Sequence, residues 1–207
     1  MITSLPNLLT LSRIGVIPAI VALFWIDGDL WRWVTLGLYA FACVTDFFDG
    51  YAARSMGTIS NFGKFLDPVA DKLLVAAVIL MLVAFNHITG FAILAGLVIL
   101  CREILVSGLR EFLADIKIGV PVSRLAKWKT FIQMLTLGFL IVGDAAPAAI
   151  PATLIGEVGL WIAAALTIVT GYDYLKTGLK YMTLHEPKPV AKPVEKSVPN
   201  AAKNGAG

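Results

Sequence analysis

Charge is scarce in this chain. Of its 207 residues only 15% are Asp, Glu, Lys or Arg, against 58% hydrophobic, and the mean hydropathy is +0.81. A soluble domain carries about a quarter charged residues. Soluble globular, disordered and fibrous classes are therefore excluded, and a membrane-embedded chain is expected. Net charge is small too, +3 at pH 7. From Glu186 onward four Lys against two Glu give a net +2 of it, so the rest lacks the basic excess of a nucleic-acid binder. Cysteine is nearly absent. Cys43 and Cys101 sit in apolar runs without metal-ligand spacing, which argues against a disulfide or a metal role. No cleavable signal peptide is expected, because Pro6, Asn7 and Arg13 precede the first apolar run and no A-x-A site follows it.

What is present is apolar sequence cut by breakers. They fall at Asp27-Gly28-Asp29, Met56-Gly57, Asn86-His87, Ile118-Gly119-Val120-Pro121 and Ala146-Pro147. They leave six expected helices, at about 5–27, 32–54, 65–86, 89–113, 124–144 and 148–182. The fold class read from this is all-α, a polytopic membrane protein with six transmembrane helices. Residues 1–185 form one transmembrane domain. Residues 186–207, with Pro187, Pro189, Pro193 and Pro199 among Lys, Ala and Val, are expected to be a disordered cytoplasmic tail with no catalytic part.

Positive charge is lopsided. If helix ends alternate sides, Arg32 is the one basic residue at the Asp27–Arg32 end, and the other sixteen Lys and Arg lie at the opposite end or in the tail. That asymmetry puts both termini in the cytoplasm. The apolar runs are also short, with thirteen uncharged residues between Arg13 and Asp27 and thirteen between Arg32 and Asp46. Neither fills a hydrocarbon core about 30 Å thick. Asp46 therefore falls roughly 10 Å inside the cytoplasmic edge of the bilayer, by the helical rise. Several helices share this pattern, which implies a polar cavity cut into the membrane and open to the cytoplasm.

The cavity's candidate chemistry is a set of carboxylates. Asp46 and Asp49 are i, i+3 on one helix; Asp67 and Asp71 are i, i+4 on the next. Each pair shares a helical face, and a short link lets the pairs face each other. Four carboxylates at membrane depth must be protonated, paired with cations such as Arg54, Lys64 and Lys72, or bound to metal ions. All-oxygen ligands suit Mg²⁺ or Mn²⁺, and four carboxylates suffice for two ions. Structural salt bridges and an ion pathway through the bilayer are the competing readings. The acids all lie at one end and the outer helix halves are plainly apolar, which disfavours a pathway.

The full spacing is Asp46, Asp49, Gly50, Ala53, Arg54, Gly63, Asp67 and Asp71, eight fixed positions over 26 residues. It resembles the signature of the CDP-alcohol phosphatidyltransferase family. Three further segments are similar to the bacterial branch that makes phosphatidylglycerophosphate. They are Pro6-Asn7-Leu8-Leu9-Thr10-Leu11-Ser12-Arg13, Arg102-Glu103-Ile104-Leu105-Val106-Ser107-Gly108-Leu109-Arg110, and Lys127-Trp128-Lys129-Thr130 with Gln133. Ala126 departs mildly from the small residue, often Gly, expected there.

The resemblance implies an enzyme of phospholipid biosynthesis in the bacterial inner membrane, with 1–185 as its catalytic domain. It would transfer a phosphatidyl group from CDP-diacylglycerol to sn-glycerol 3-phosphate and release CMP. By the same carry-over, Asp46, Asp49, Asp67 and Asp71 bind two Mg²⁺ or Mn²⁺ ions, and Asp71 is the general base. Gly50, Arg54 and Ser60 serve the nucleotide side, with Asn7, Thr10 and Arg13 at the diphosphate; for Arg13 a topology-setting cation is the alternative. Arg102, Arg110, Lys127 and Lys129 are the candidate pocket for the acceptor's phosphate, although some of the fifth-helix cations suit lipid headgroups. Membrane lipids, and a second copy of the chain in a homodimer, are the implied neighbours; nucleic acid is not. Other acceptors (inositol phosphate, serine, phosphatidylglycerol) share the chemistry, and a divalent-cation transporter is the alternative from another class. Ordinary roles are expected for His87, a solvated turn residue, and for Trp25, Trp31 and Trp33, an outer aromatic belt. Glu103 is expected to partner Arg102, and Asp173 to pair with Lys176 or a pocket arginine.

Overall fold

The computed structural model describes residues 5–56, 61–115 and 124–184, and the side chains of 9–45, 63, 66–114 and 124–181 within them. These residues form six long helices and no strand: α1 (Leu5–Leu23), α2 (Asp29–Met56), α3 (Asn61–Ala84), α4 (Ala92–Asp115), α5 (Arg124–Val142) and α6 (Ala152–Leu184). The tail from 185 onward lies outside the described residues, as do Gly57 and the Ile118–Pro121 break.

α3 and α5 stop where the backbone finds a residue that tolerates positive φ. Asn86 takes φ 59° after α3. There the amide of His87 donates to Leu82 O at 2.8 Å, tying off the last carbonyls of the helix. Gly143 takes φ 50° directly after α5, and a 3₁₀ turn over Gly143–Ala145 follows.

Three helical stretches, Ala92–Ala114, Arg124–Ala145 and Ala152–Tyr181, are long and apolar enough to cross a membrane. The outer surface fits that medium: Leu80, Leu97, Ile104, Phe131, Ile168 and Val169 are all exposed. Water would not tolerate so continuous an apolar exterior, and the chain is an integral membrane protein. Inside, Ile20, Leu74, Val78, Ile79, Leu82, Ile99, Leu137, Ile141 and Leu160 form one buried core that joins all six helices through their neighbours Ala42 and Ala163.

In lipid, exclusion from water does not drive helices together, so close packing at small residues matters more. α6 meets α5 through Gly156, where a Cβ would stand 2.6 Å from Leu140 Cγ and 3.3 Å from its backbone N. Leu140 is 1% exposed and cannot swing aside. Gly156→Val should therefore destabilise the bundle by about 1–3 kcal/mol through overpacking, even though Val exceeds Gly in helix propensity. Thermal unfolding in detergent measures this; a variant melting with the wild type would remove Gly156 from the α5–α6 contact.

The turns α1–α2, α3–α4 and α5–α6 meet at one end of the bundle. Arg32 Nη1 donates to Val142 O at 3.4 Å, Trp33 Nε1 to Ala145 O at 3.2 Å, and His87 Nδ1 lies 2.7 Å from Leu140 O. His87 thus differs from the solvated residue expected. It is half-buried, edge-on to Phe24, and bonded to the last turn of α5, whose orphan carbonyls need donors. Trp25, Trp31 and Trp33 are exposed around this end.

Candidate active site

At the other end, α3, α4, α5 and α6 enclose a cavity of about 480 Å³. α3 contributes Asp67, Asp71 and Lys72; α4 contributes Arg102, Glu103, Arg110 and Glu111; α5 contributes Ala126, Lys129 and Thr130; α6 contributes Tyr174. Asp67 and Asp71 reach it together because they stand one turn apart on one face of α3. Arg102 and Arg110 reach it because eight residues carry α4 through two turns and only about 80° more. Among the described lining residues, four acids face four bases, so the wall is formally neutral.

The charges are held rather than loose. The Thr10 hydroxyl, from α1, donates to Asp67 Oδ1 at 2.5 Å. Lys129 is 3% exposed and its ammonium is paired with Glu103 across the α4–α5 gap. Glu103 also lies 3.6 Å from Arg102 Nη1, so it serves both cations, not Arg102 alone. Arg102 donates from Nη2 to Thr170 Oγ1 at 2.9 Å. Lys72 folds back onto Pro68 O at 3.0 Å. Such pairing is what permits charge inside an apolar bundle.

Arg13 is buried at 1% exposure, one turn from Thr10 on α1. Lys127 is exposed and stands with Trp128 and Phe131, away from the cavity. Asp173 is exposed and forms no ion pair with a described residue. Asn7 lies on α1, and Asp46, Asp49, Gly50 and Arg54 lie on α2, but their side chains are outside the described residues, and Ser60 is outside them altogether. Among the described residues no group of three His, Cys, Asp or Glu gathers as a metal set. Sequence reasoning overlooked Thr170 and Tyr174. The signal was a polar row on α6, Thr167, Thr170 and Tyr174 at helical spacing in an apolar segment.

A second, apolar groove of about 710 Å³ follows α2 and α5. Trp33, Pro147 and Ile150 line one end and Cys43 and Val44 the other, the latter pair just before Asp46 in sequence.

The comparisons with known proteins agree with one another. Over 178 residues the chain is 51% identical to the CDP-diacylglycerol–glycerol-3-phosphate 3-phosphatidyltransferase of Rickettsia felis, covering 86% of this chain and 97% of that protein. It is 35% identical over 184 residues to the Bacillus subtilis protein of the same name, covering 83% and 93%. Its fold matches the crystal structure of Mycobacterium tuberculosis phosphatidylinositol phosphate synthase with CDP-DAG bound. The TM-score is 0.61 at 21% identity, over 86% of this chain and 87% of that one. The carboxylate pair and the cationic wall opposite it occur within residues 3–169, which match the sequence pattern of CDP-alcohol phosphatidyltransferases, and the chain belongs to that family.

Proposed function

We propose that the chain transfers a phosphatidyl group from CDP-diacylglycerol to sn-glycerol 3-phosphate, giving phosphatidylglycerophosphate and CMP. The observation that carries this is one cavity in which Asp67 and Asp71 confront Arg102, Arg110 and Lys129. The names borne by the relatives supply the donor and acceptor.

The two substrates differ in charge and so divide the cavity. The acceptor's phosphate goes to Arg102, Arg110 and Lys129, since a dianion near a membrane needs several cations and Arg binds it bidentately. Lys127, turned outward with Trp128, meets lipid headgroups instead. The donor's diphosphate belongs to the acidic side, where Asp67 and Asp71 would hold divalent ions. Asp67 and Asp71 offer oxygen donors one turn apart on the same wall, and Thr10 fixes one of them; this donor set fits Mg²⁺ or Mn²⁺. Asp46 and Asp49 complete the proposed set for two ions. When bound, such ions neutralise the diphosphate and the charge gathering on departing CMP.

Asp71 takes the proton from the acceptor's hydroxyl. The hydroxyl oxygen then forms a bond to the phosphorus bearing diacylglycerol, and the bond from that phosphorus to CMP breaks. Gly50, Arg54 and Ser60 hold the nucleotide, and Asn7 and Arg13 assist Thr10 at the diphosphate. The apolar groove along α2 and α5 receives an acyl chain of the donor; its volume is that of a ligand-sized cleft.

In this reading all six helices cross the bacterial inner membrane, α1 to α3 completing their short apolar runs with cavity-lining halves. The cavity and both termini face the cytoplasm, and the enzyme acts as a homodimer. The deciding experiment is CMP release by purified protein offered CDP-diacylglycerol with glycerol 3-phosphate, inositol phosphate, serine or phosphatidylglycerol. Release with glycerol 3-phosphate is expected. Release with another acceptor alone would transfer the chain to a different branch of the family.

A further inference from the structure

Arg102 is gripped by α6, although it belongs to α4. Its Nη2 donates to Thr170 Oγ1 at 2.9 Å. Thr170 spends its own proton on Leu166 O at 2.8 Å, which leaves oxygen lone pairs for the guanidinium. The guanidinium carbon lies 5.8 Å from the centre of the Tyr174 ring, within reach of a cation–π attraction. Gly171 makes room for the stem: a Cβ there would stand 2.9 Å from Arg102 Cγ and 3.3 Å from Nε. Positions 170, 171 and 174 form one patch on α6. Thr170 and Tyr174 are 1% and 6% exposed.

A long side chain that closes on a phosphate loses rotamer freedom, and that loss weakens binding. Arg102 has already lost it. Its side chain is 12% exposed and stays on the cavity wall beside Tyr174. We propose that Thr170, Gly171 and Tyr174 are positioning residues for the acceptor phosphate, holding the Arg102 guanidinium at the cavity wall before that substrate arrives. This inference rests on the reading of the cavity given above. It assigns α6 a part in acceptor selection without any contact of its own with the phosphate.

Thr170→Val, Thr170→Ser and Gly171→Ala test it, each assayed for kcat, for KM of both substrates and for melting temperature in detergent. Thr170→Val removes the acceptor oxygen at constant shape and should raise KM for glycerol 3-phosphate about three- to tenfold. KM for CDP-diacylglycerol and the melting temperature should hold. Thr170→Ser keeps the oxygen and should stay near wild type. Gly171→Ala favours the helix yet crowds Arg102, so KM should rise without a fall in melting temperature. In an Arg102→Gln background, Thr170→Val should add nothing, because both changes remove one interaction. A lowered melting temperature in Thr170→Val with KM unchanged would make the contact a plain α4–α6 strut and overturn the inference. So would a rise in KM for Arg102→Gln with none for Thr170→Val and Gly171→Ala. Absence of CMP release from wild type with glycerol 3-phosphate would overturn the reading of the cavity and this inference with it.

Discussion

Asp71→Asn is expected to abolish phosphatidyl transfer, a loss of about 10³-fold or more in kcat. The substitution keeps the shape of the side chain and removes its capacity to take a proton. Asp71 lines the cavity beside Arg102, Arg110 and Lys129, the wall to which the acceptor's phosphate is assigned, so the acceptor hydroxyl is brought to it. Asp67 occupies the same wall and accepts a hydrogen bond from Thr10, which fits a holding role. Asp67→Asn should accordingly weaken metal-dependent binding of the nucleotide. Asp71→Asn should leave folding and most donor binding intact. Three measurements check this: CMP release, melting temperature in detergent, and equilibrium binding of CDP-diacylglycerol with Mg²⁺. Near-normal turnover by a folded Asp71→Asn protein would take this residue out of the mechanism.

Arg110→Gln should raise KM for glycerol 3-phosphate about 10- to 100-fold, the loss of one charge-assisted contact of roughly 1.5–3 kcal/mol. Arg110 differs from Arg102 in its surroundings. It lines the same cavity but is exposed and has no hydrogen bond or ion pair with a described residue, so its guanidinium is free for a ligand. A cation on a helix whose other positions are mostly apolar is expensive unless an anion meets it. KM for CDP-diacylglycerol should change much less. Arg110→Lys should restore only part of the loss, since a point charge does not reproduce the planar fork. Equal weakening of both substrates would make Arg110 donor-facing.

Much of the bundle was legible in the sequence because breakers act locally. Gly28 and Asn86 end or begin helices through their own backbone, and a reader needs no tertiary contact to see it. The Asp67–Asp71 and Arg102–Arg110 pairings were legible for the same reason, helical periodicity. That periodicity also separates Lys127 from Lys129: two residues turn a helix by about 200°, so both cannot face one cavity. What spacing could not supply were partners from distant helices. Glu103 meets Lys129 across 26 residues, Arg102 meets Thr170 across 68, and His87 meets Leu140 across 53. Each joins a polar group to whatever the packing places opposite, and the packing follows from contacts such as Gly156 against Leu140.

Arg32, Trp33 and His87, from two different turns, all hold the last carbonyls around the end of α5. The cavity opens at the opposite extremity of the same helices. A bundle knotted at one extremity pivots about its knot, so any splaying of the helices grows with distance from Leu140. The mechanical play is then greatest where a two-tailed lipid must enter and a two-tailed product depart, and least at the tied end.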